Sequence, residues 1–148
     1  MNYEEEQRGG ILGISLIITM GVLIVGFALN MGNEDNSTLG FFLVVIAMLL
    51  VYALFGKMKT TVSSSEINVV FGVGLVKKNI AMNSIVSASI VRNKWYYGWG
   101  IRYYGQGWMW NFTGLDAVEL NFKDKKSKFR IGTKNASELH RAISENLS

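Results

Sequence analysis

The sequence predicts an α+β protein with two transmembrane helices at its N-terminus, then a closed barrel or sandwich of about seven strands, then one amphipathic helix. Three observations predict this class. Two long runs near the start contain no charged residue, short segments further on alternate apolar and polar residues, and the last segment carries apolar residues at helical spacing. A chain of 148 residues suffices for one core and a small anchor.

The uncharged runs Gly9–Asn33 and Asn36–Gly56 predict the two transmembrane helices. At about 1.5 Å per residue the second run is roughly 31 Å long, close to the hydrocarbon core of about 30 Å. Neither run has the polar stripe of a helix in a soluble bundle. We therefore expect a membrane hairpin over residues 1–57, with helices at about 10–32 and 38–56.

The charges beside these helices predict their orientation. Arg8 precedes the first helix and Lys57 and Lys59 follow the second, whereas the short loop Gly32–Ser37 between them is acidic. Basic residues favour the cytoplasmic side. We expect a multi-pass protein of the cell (cytoplasmic) membrane with both termini, and a domain over residues 58–148, in the cytoplasm.

Glycines in the first helix indicate close helix packing. Gly9 and Gly13 have the GxxxG spacing, and Gly21 lies further along a similar face. They predict either packing of the two helices against each other or homodimerisation.

The cytoplasmic part is basic, because it holds 14 of the 15 Lys and Arg residues but only 6 of the 11 Asp and Glu residues. Beside an anionic leaflet each cation near the surface would contribute up to about 1 kcal/mol of attraction. A solvated basic surface is the alternative interpretation.

Alternating residues predict the strands of this domain. Ile67, Val69 and Phe71 share one face of a strand, and the turn Phe122–Ser127 joins two further strands in a hairpin. Strands also include Ile85–Val91, and about seven of them at short spacing favour a closed barrel or sandwich.

The C-terminal segment predicts a capped helix. Asn135 can cap its first turn with Glu138 at the third position of a capping box. The apolar stripe consists of Ala136, Leu139, Ala142, Ile143 and Leu147.

Seven strands followed by one helix is the order of a pleckstrin-homology-like (PH-like) domain, in which the helix plugs one end of a bent barrel. Four motifs carry a closer likeness: Gly98–Arg102 (GWGIR), Asn111–Gly114 (NFTG), Asp116–Leu120 (DAVEL) and Phe129–Thr133 (FRIGT). In this order the chain resembles the bacterial and archaeal PH-domain membrane proteins, from roughly Lys57 to Leu147. The resemblance implies a PH-like bent barrel behind a two-helix membrane hairpin, and it implies no catalytic residue.

Half of the residues from Trp95 to Trp110 are aromatic, and this run contains every tryptophan of the chain. Alternation predicts that Trp99–Tyr104 and Trp108–Phe112 are strands of a hairpin closed at Gly105–Gly107, with most of the rings in the core.

Three consecutive aromatic residues cannot all point inward from one strand, so part of Trp95, Tyr96 and Tyr97 must be exposed or lie in a turn. With Arg92 and Lys94 they are the candidate contact to lipid headgroups or a protein partner. Arg102 is a candidate anion contact through its guanidinium, unless it pairs with Asp116 or Glu119.

Catalysis is not expected. The chain has no Cys and one His, so thiol catalysis, clustered zinc ligands and His-based triads lack the residues they need. His140 is expected to face solvent, and no cofactor or metal site is predicted.

We expect a membrane-anchored PH-like binding or scaffolding module that presents its basic domain to protein partners or anionic lipid headgroups. A non-catalytic subunit or assembly factor of a larger membrane complex is the alternative. Partners would be the lipid bilayer and a protein or a second copy of the chain, and not nucleic acid, since no nucleic-acid motif is present.

Overall fold

The computed structural model describes residues 2–8, 10–29, 36–124 and 126–147. In chain order the elements are β1 (Tyr3–Arg8), α1 (Ile11–Leu29), α2 (Asn36–Phe55), β2 (Lys57–Val62), β3 (Glu66–Phe71), β4 (Val76–Ala81), β5 (Ile85–Arg92), β6 (Gly100–Tyr103), β7 (Gly107–Asn111), β8 (Asp116–Phe122), β9 (Lys128–Gly132) and α3 (Ala136–Leu147). Single 3-10 turns lie at Met82–Ser84 and Trp95–Tyr97.

The nine strands form two sheets, with the orders β1-β2-β3-β4 and β5-β8-β9-β7-β6. All neighbours are antiparallel except β7 and β9, which are parallel. The predicted closed barrel of about seven strands is therefore wrong. Among the described residues no strand of one sheet pairs with a strand of the other, so both sheets keep open edges.

Strand β1 belongs to the first sheet, although the sequence assigned residues 1–57 to the membrane hairpin. It pairs with β2 along its whole length, from Tyr3 opposite Val62 to Arg8 opposite Lys57. Because Arg8 leads into α1 and Lys57 follows α2, the chain enters and leaves the helical pair at one end of this sheet.

Side chains of β1, rather than backbone pairing, join it to the second sheet. The buried Gln7 donates from Nε2 to the carbonyl oxygen of Gly132 at 3.1 Å and accepts from the Thr113 hydroxyl at 2.7 Å. Glu5 accepts from the Thr133 hydroxyl at 2.6 Å and from the Lys134 amide at 2.8 Å. These bonds close one side of the space between the sheets.

The core lies between the two sheets and under α3. The predicted inward positions Ile67, Val69 and Phe71 are buried, and the hairpin between β8 and β9 forms as expected. The helix covers β5 and β8 with Leu139, Ala142 and Ile143.

The predicted cap of α3 is confirmed. The Glu138 amide donates to Asn135 Oδ1 at 3.2 Å, and Asn135 Nδ2 donates to Glu138 Oε2 at 2.8 Å. His140, expected to face solvent, is instead half-buried with Nε2 3.1 Å from the carbonyl oxygen of Ala88.

Helices α1 and α2 pack against each other, with the rings of Phe27 and Phe41 stacked at 4.4 Å. A Cβ on Gly13 would lie 3.7 Å from the Tyr52 ring, so this glycine faces α2, whereas Gly21 has no neighbour within 4 Å. Gly9 and the acidic residues Glu34 and Asp35 of the predicted loop lie outside the described residues.

Among the described helices only one stretch, Thr38–Phe55 in α2, is long and apolar enough to cross a membrane. Its counterpart in α1 is the shorter apolar segment Gly13–Leu29. The expectation of two N-terminal transmembrane spans is therefore wrong, and a multi-pass arrangement is not supported.

The end of α2 is fixed to the first sheet by the turn between β3 and β4. The Val73 amide donates to the carbonyl oxygen of Ala53 at 3.0 Å, and the Gly72 amide donates to that of Lys57 at 2.9 Å. Gly72 has a φ of 52°, and a Cβ there would overlap the carbonyl oxygens of Ala53 and Leu54. Only glycine lets the turn approach the helix this closely.

Candidate binding surface

The turn at Trp95–Tyr97 carries its three aromatic side chains outside the core, as the sequence predicted for part of this cluster. Trp95 is 77% exposed and Tyr96 is also exposed. Ring centres follow one another at 5.9 Å from Trp95 to Tyr96, 5.1 Å from Tyr96 to Tyr97 and 6.0 Å from Tyr97 to Tyr104. These separations are typical of favourable aromatic pairs. We call these four residues the aromatic ladder.

The inner end of the aromatic ladder rests on a buried ion cluster around Glu119, which is 5% exposed. Its carboxylate accepts from Lys128 Nζ at 2.7 Å, Arg130 Nε at 2.8 Å and the Tyr104 hydroxyl at 3.1 Å. Arg130 also donates from Nη1 to Asn93 Oδ1 at 3.0 Å. The ladder is thus held at its base by a network whose members fix one another's orientation.

The charge states of this cluster follow from its geometry. Burial by itself raises the pKa of Glu119, but the hydrogen bonds from Lys128 and Arg130 outweigh it and hold the pKa below its ordinary value. Burial, with the Glu119 charge beside it, raises the pKa of Tyr104 to about 12. At neutral pH the cluster therefore contains one anion, two cations and a neutral phenol, and its net charge is +1.

Lys94 adds a cation at the outer end of the aromatic ladder. Its Nζ lies 5.5 Å from the centre of the Tyr96 ring, within the range of a cation–π contact. The Tyr96 phenol beside it raises the pKa of Lys94 above its ordinary value. Lys94, Trp95, Tyr96 and Tyr97 thus lie together at the outer end of the aromatic ladder, and their contact with lipid or a partner stays a prediction.

Arg102 lies beside the same turn. Its Nε donates to the carbonyl oxygen of Trp99 at 3.3 Å, and its side chain is exposed. The alternative pairing with Glu119 is not formed, because Lys128, Arg130 and Tyr104 take both oxygens of that carboxylate. The guanidinium keeps donors that face solvent.

Arg92 does not join this surface. Ile90 is opposite the buried Val118, and Arg92 is two positions further along β5. The side chains of Ile90 and Arg92 therefore leave the strand on the same face. Glu119 is opposite Ser89 and therefore lies on the other face of the sheet. Arg92 was grouped with the aromatic cluster because it is close to it in the chain. The alternation of side chains along β5 places Arg92 on the face opposite to that of Glu119.

The predicted hairpin of β6 and β7 forms, with Tyr103 opposite Trp108 and Ile101 opposite Trp110. The rings of Tyr103 and Trp108 are 5.8 Å apart and make an edge contact. The expectation that most rings lie in the core holds only for Trp110 and Phe112. Trp99 and Tyr103 are exposed because they precede and belong to the edge strand β6. Trp108, opposite Tyr103 on β7, is exposed as well.

A chain of aromatic contacts links this edge to the helices. Phe55 at the end of α2 lies 6.2 Å from Phe71, and Phe71 lies 5.4 Å from Trp110. Since Trp110 pairs with Ile101, β6 lies one strand beyond the core residues that meet α2.

Among the residues that the structure describes, no group of three or more His, Cys, Asp and Glu is placed to hold a metal ion. No protein-family model matches the chain, and no curated protein matches it. The resemblance to PH-domain membrane proteins stays a prediction based on the four sequence motifs.

Proposed function

We propose that this chain is a membrane-anchored binding module without catalytic activity, which holds its aromatic and basic surface against an anionic bilayer. The anchor is α2, and the surface is the β6 edge of the second sheet together with the turn before it. Arg102 and the ladder residue Tyr104 leave one face of this edge, Tyr103 and Trp108 leave the other, and Lys94 lies in the turn. The observation that carries the proposal is the group of exposed rings and solvent-facing cations at the β6 edge, which the contacts of Phe55 with Phe71 and of Phe71 with Trp110 connect to the end of α2.

The exposure of the helices supports the anchor. Large apolar side chains of both helices face outward, including Ile17, Leu29, Leu39 and Leu50. Soluble monomers rarely expose apolar patches of more than a few hundred Å². The stretch Thr38–Phe55 contains no charged residue and is almost wholly unburied, which fits a lipid environment better than water.

The rigid joint at the end of α2 supports the orientation of the domain. The turn bonded to Ala53 exposes Val73 and Leu75, the latter by 79%, and Lys57 begins β2 just beyond it. Apolar tips beside cations are suited to the boundary between headgroups and acyl chains. With α2 inserted, this turn lies at the bilayer surface, and in the proposed arrangement the β6 edge faces the same surface.

The side chains of the surface match an anionic interface. Trp and Tyr are enriched where a membrane meets water, since their rings are apolar and their polar atoms remain hydrated. Arg102 and Lys94 add charges that attract anionic headgroups. The buried Glu119, saturated by three donors, serves to fix the ladder rather than to transfer a proton.

The distribution of tryptophan makes the proposal testable in the full chain. All four tryptophans lie between residues 95 and 110, and three of them are exposed while Trp110 is buried, so quenching of intrinsic fluorescence reports on the three exposed rings. We would reconstitute the chain in vesicles containing lipids brominated near the headgroup or deep in the acyl chain. Quenching by the shallow label is expected, and it should grow with the fraction of anionic lipid and weaken in high salt.

Matched variants identify the rings that respond. The triple variant Trp95→Phe, Trp99→Phe, Trp108→Phe keeps only the buried Trp110, and its fluorescence should not be quenched. The single variant Trp110→Phe keeps the three exposed rings and should be quenched as the native chain is. Exposed tryptophans that stay unquenched in correctly inserted protein would reject the lipid contact and favour a subunit of a larger complex.

A further inference from the structure

The free edge of β4 lies along a cleft between the two sheets. This strand pairs with β3 on one side and with no described strand on the other. Four consecutive residues, Lys78–Ala81, line the cleft. Because successive side chains leave a strand on opposite faces, a cavity that touches consecutive residues must run along the strand edge and its backbone groups.

The cleft is large enough for a ligand and is partly apolar. Its volume is about 430 Å³, within the range of about 300–1,000 Å³ of ligand pockets. The wall opposite β4 presents the rings of Trp108, Phe122 and Phe129 from the second sheet. It also carries the Asp124 carboxylate and Lys128, whose charge is paired with Glu119. Trp108 is about half exposed here, so an aromatic face is available to a side chain that enters.

The charges on β4 indicate which kind of polypeptide segment can bind there. Val76, Lys78 and Ile80 are opposite Phe71, Val69 and Ile67 of the core, so Lys78 lies on the inner face and lines the cleft. Lys77 lies on the outer face and is exposed. Neither lysine forms an ion pair with any residue in the described part of the chain. The edge therefore presents one cation to each side of an added strand.

We propose that β4 and the cleft bind an extended acidic segment of a partner protein by strand addition. The segment's backbone pairs with β4, and its alternate side chains enter the cleft. In an antiparallel arrangement the residue opposite Lys78 is acidic and meets the cation inside the cleft. The residues two positions to either side are apolar and lie opposite Val76 and Ile80. A second acidic residue lies opposite Lys77.

A synthetic probe follows from this register. The peptide Thr-Val-Thr-Glu-Glu-Val-Thr places valines opposite Ile80 and Val76 and glutamates opposite Lys78 and Lys77. Its binding to the full chain in detergent micelles would be measured by the anisotropy of an attached fluorophore. Hydrogen exchange at the amides of β4 would be followed in the same samples. Binding is expected, with slower exchange at the outward amides of β4.

Variants separate this site from general charge attraction. Lys78→Met should weaken peptide binding by about tenfold or more, whereas Lys134→Met, on the β1 side, removes the same charge and should leave binding unchanged. The double variant K77E/K78E should lose the acidic peptide and gain affinity for Thr-Val-Thr-Lys-Lys-Val-Thr. That exchange of preference also shows that the variant is folded.

Three results would overturn the proposal. The first is no binding of the acidic peptide, and the second is equal binding to the native, Lys78→Met and Lys134→Met chains. The third is self-association of Lys78→Met without any change in peptide affinity, which would mean that the lysines only protect an open edge from pairing with another copy. Lipid contact is tested separately by the quenching of Trp95 and Trp99, which do not line the cleft.

Discussion

The Arg130 guanidinium lies 4.1 Å from the centre of the Tyr104 ring, and the hydroxyl of this ring donates to the same Glu119 carboxylate that accepts from Arg130. Tyr104 therefore contacts the ion pair through both its face and its oxygen. The next ring along is Tyr97, 6.0 Å away, so the position of the surface turn depends on this contact.

Substitutions at Tyr104 should separate the two contacts. Tyr104→Phe keeps the ring over Arg130 and loses one hydrogen bond, so we expect it to lower the free energy of unfolding by about 1 kcal/mol. Tyr104→Leu also loses the cation–π contact and should cost about 1 kcal/mol more. Urea unfolding in detergent, followed by tryptophan fluorescence, measures both. Equal losses for the two variants would mean that the ring face contributes nothing.

Removing the charge of Glu119 should destabilise the second sheet. Glu119→Gln leaves Arg130 and Lys128 without their anion, and we expect a loss of about 2–3 kcal/mol, less than for a fully dry pair because Lys128 is half-buried. Asp116→Asn is the matched control, since it removes an exposed carboxylate from the same strand. The same urea titration compares them, and similar losses would contradict a specific role for Glu119.

The lowered pKa of Glu119 also predicts a pH dependence of stability. Its carboxylate has a lower pKa in the folded chain than the ordinary glutamate value of about 4.3, so the unfolded chain binds this proton more readily. The resulting stabilisation is fully present above that ordinary value and is lost as the pH falls through the folded pKa. The difference in unfolding free energy between the native chain and Glu119→Gln should therefore shrink from pH 7 to pH 3. A difference that stays constant would show that Glu119 does not titrate with folding.

The turn at the end of α2 should depend on Gly72. Both Gly72→Ala and Gly74→Ala force alanine into a positive φ, but only the first adds an overlap with the carbonyl oxygens of α2. We expect Gly72→Ala to cost about 2 kcal/mol more than Gly74→Ala. Hydrogen exchange at the Val73 amide, which is bonded to Ala53, should be faster only in Gly72→Ala. Equal exchange in both variants would mean that the turn does not need this close approach.

The sequence predicted those elements whose inward positions are regularly apolar. Strands β3, β8 and β9 and the helix α3 follow because Ile67, Val118, Ile131 and Leu139 repeat with the period of their element. Strand β1 has no such signal, since its buried residues are Tyr3 and a glutamine. Gln7 is buried only because Gly132 and Thr113, more than 100 positions away, satisfy its amide.

The errors in the fold and the site have a common physical origin. Alternation specifies which side chains share a face of a strand, but it does not specify which strand is at an edge. Trp99 and Tyr103 were therefore expected in the core of a closed barrel, whereas β6 is open on one side. Glu119 was recognised only as a possible partner of Arg102, since its burial depends on the covering side chains of Tyr104 and Arg130.

The cap of α3 gives a final prediction that is local and readily controlled. Asn135 accepts from the Glu138 amide and donates to its carboxylate, so Asn135→Ala loses both bonds and should lower the free energy of unfolding by about 1 kcal/mol. Asn135→Asp retains an acceptor at the positive end of the helix but places its charge beside Glu138, so a smaller loss is expected. Because α3 covers β5 and β8, the loss should appear in the cooperative unfolding of the domain. Fraying of the first turn alone, seen as faster exchange at the Glu138 amide without a shifted urea midpoint, would contradict this coupling.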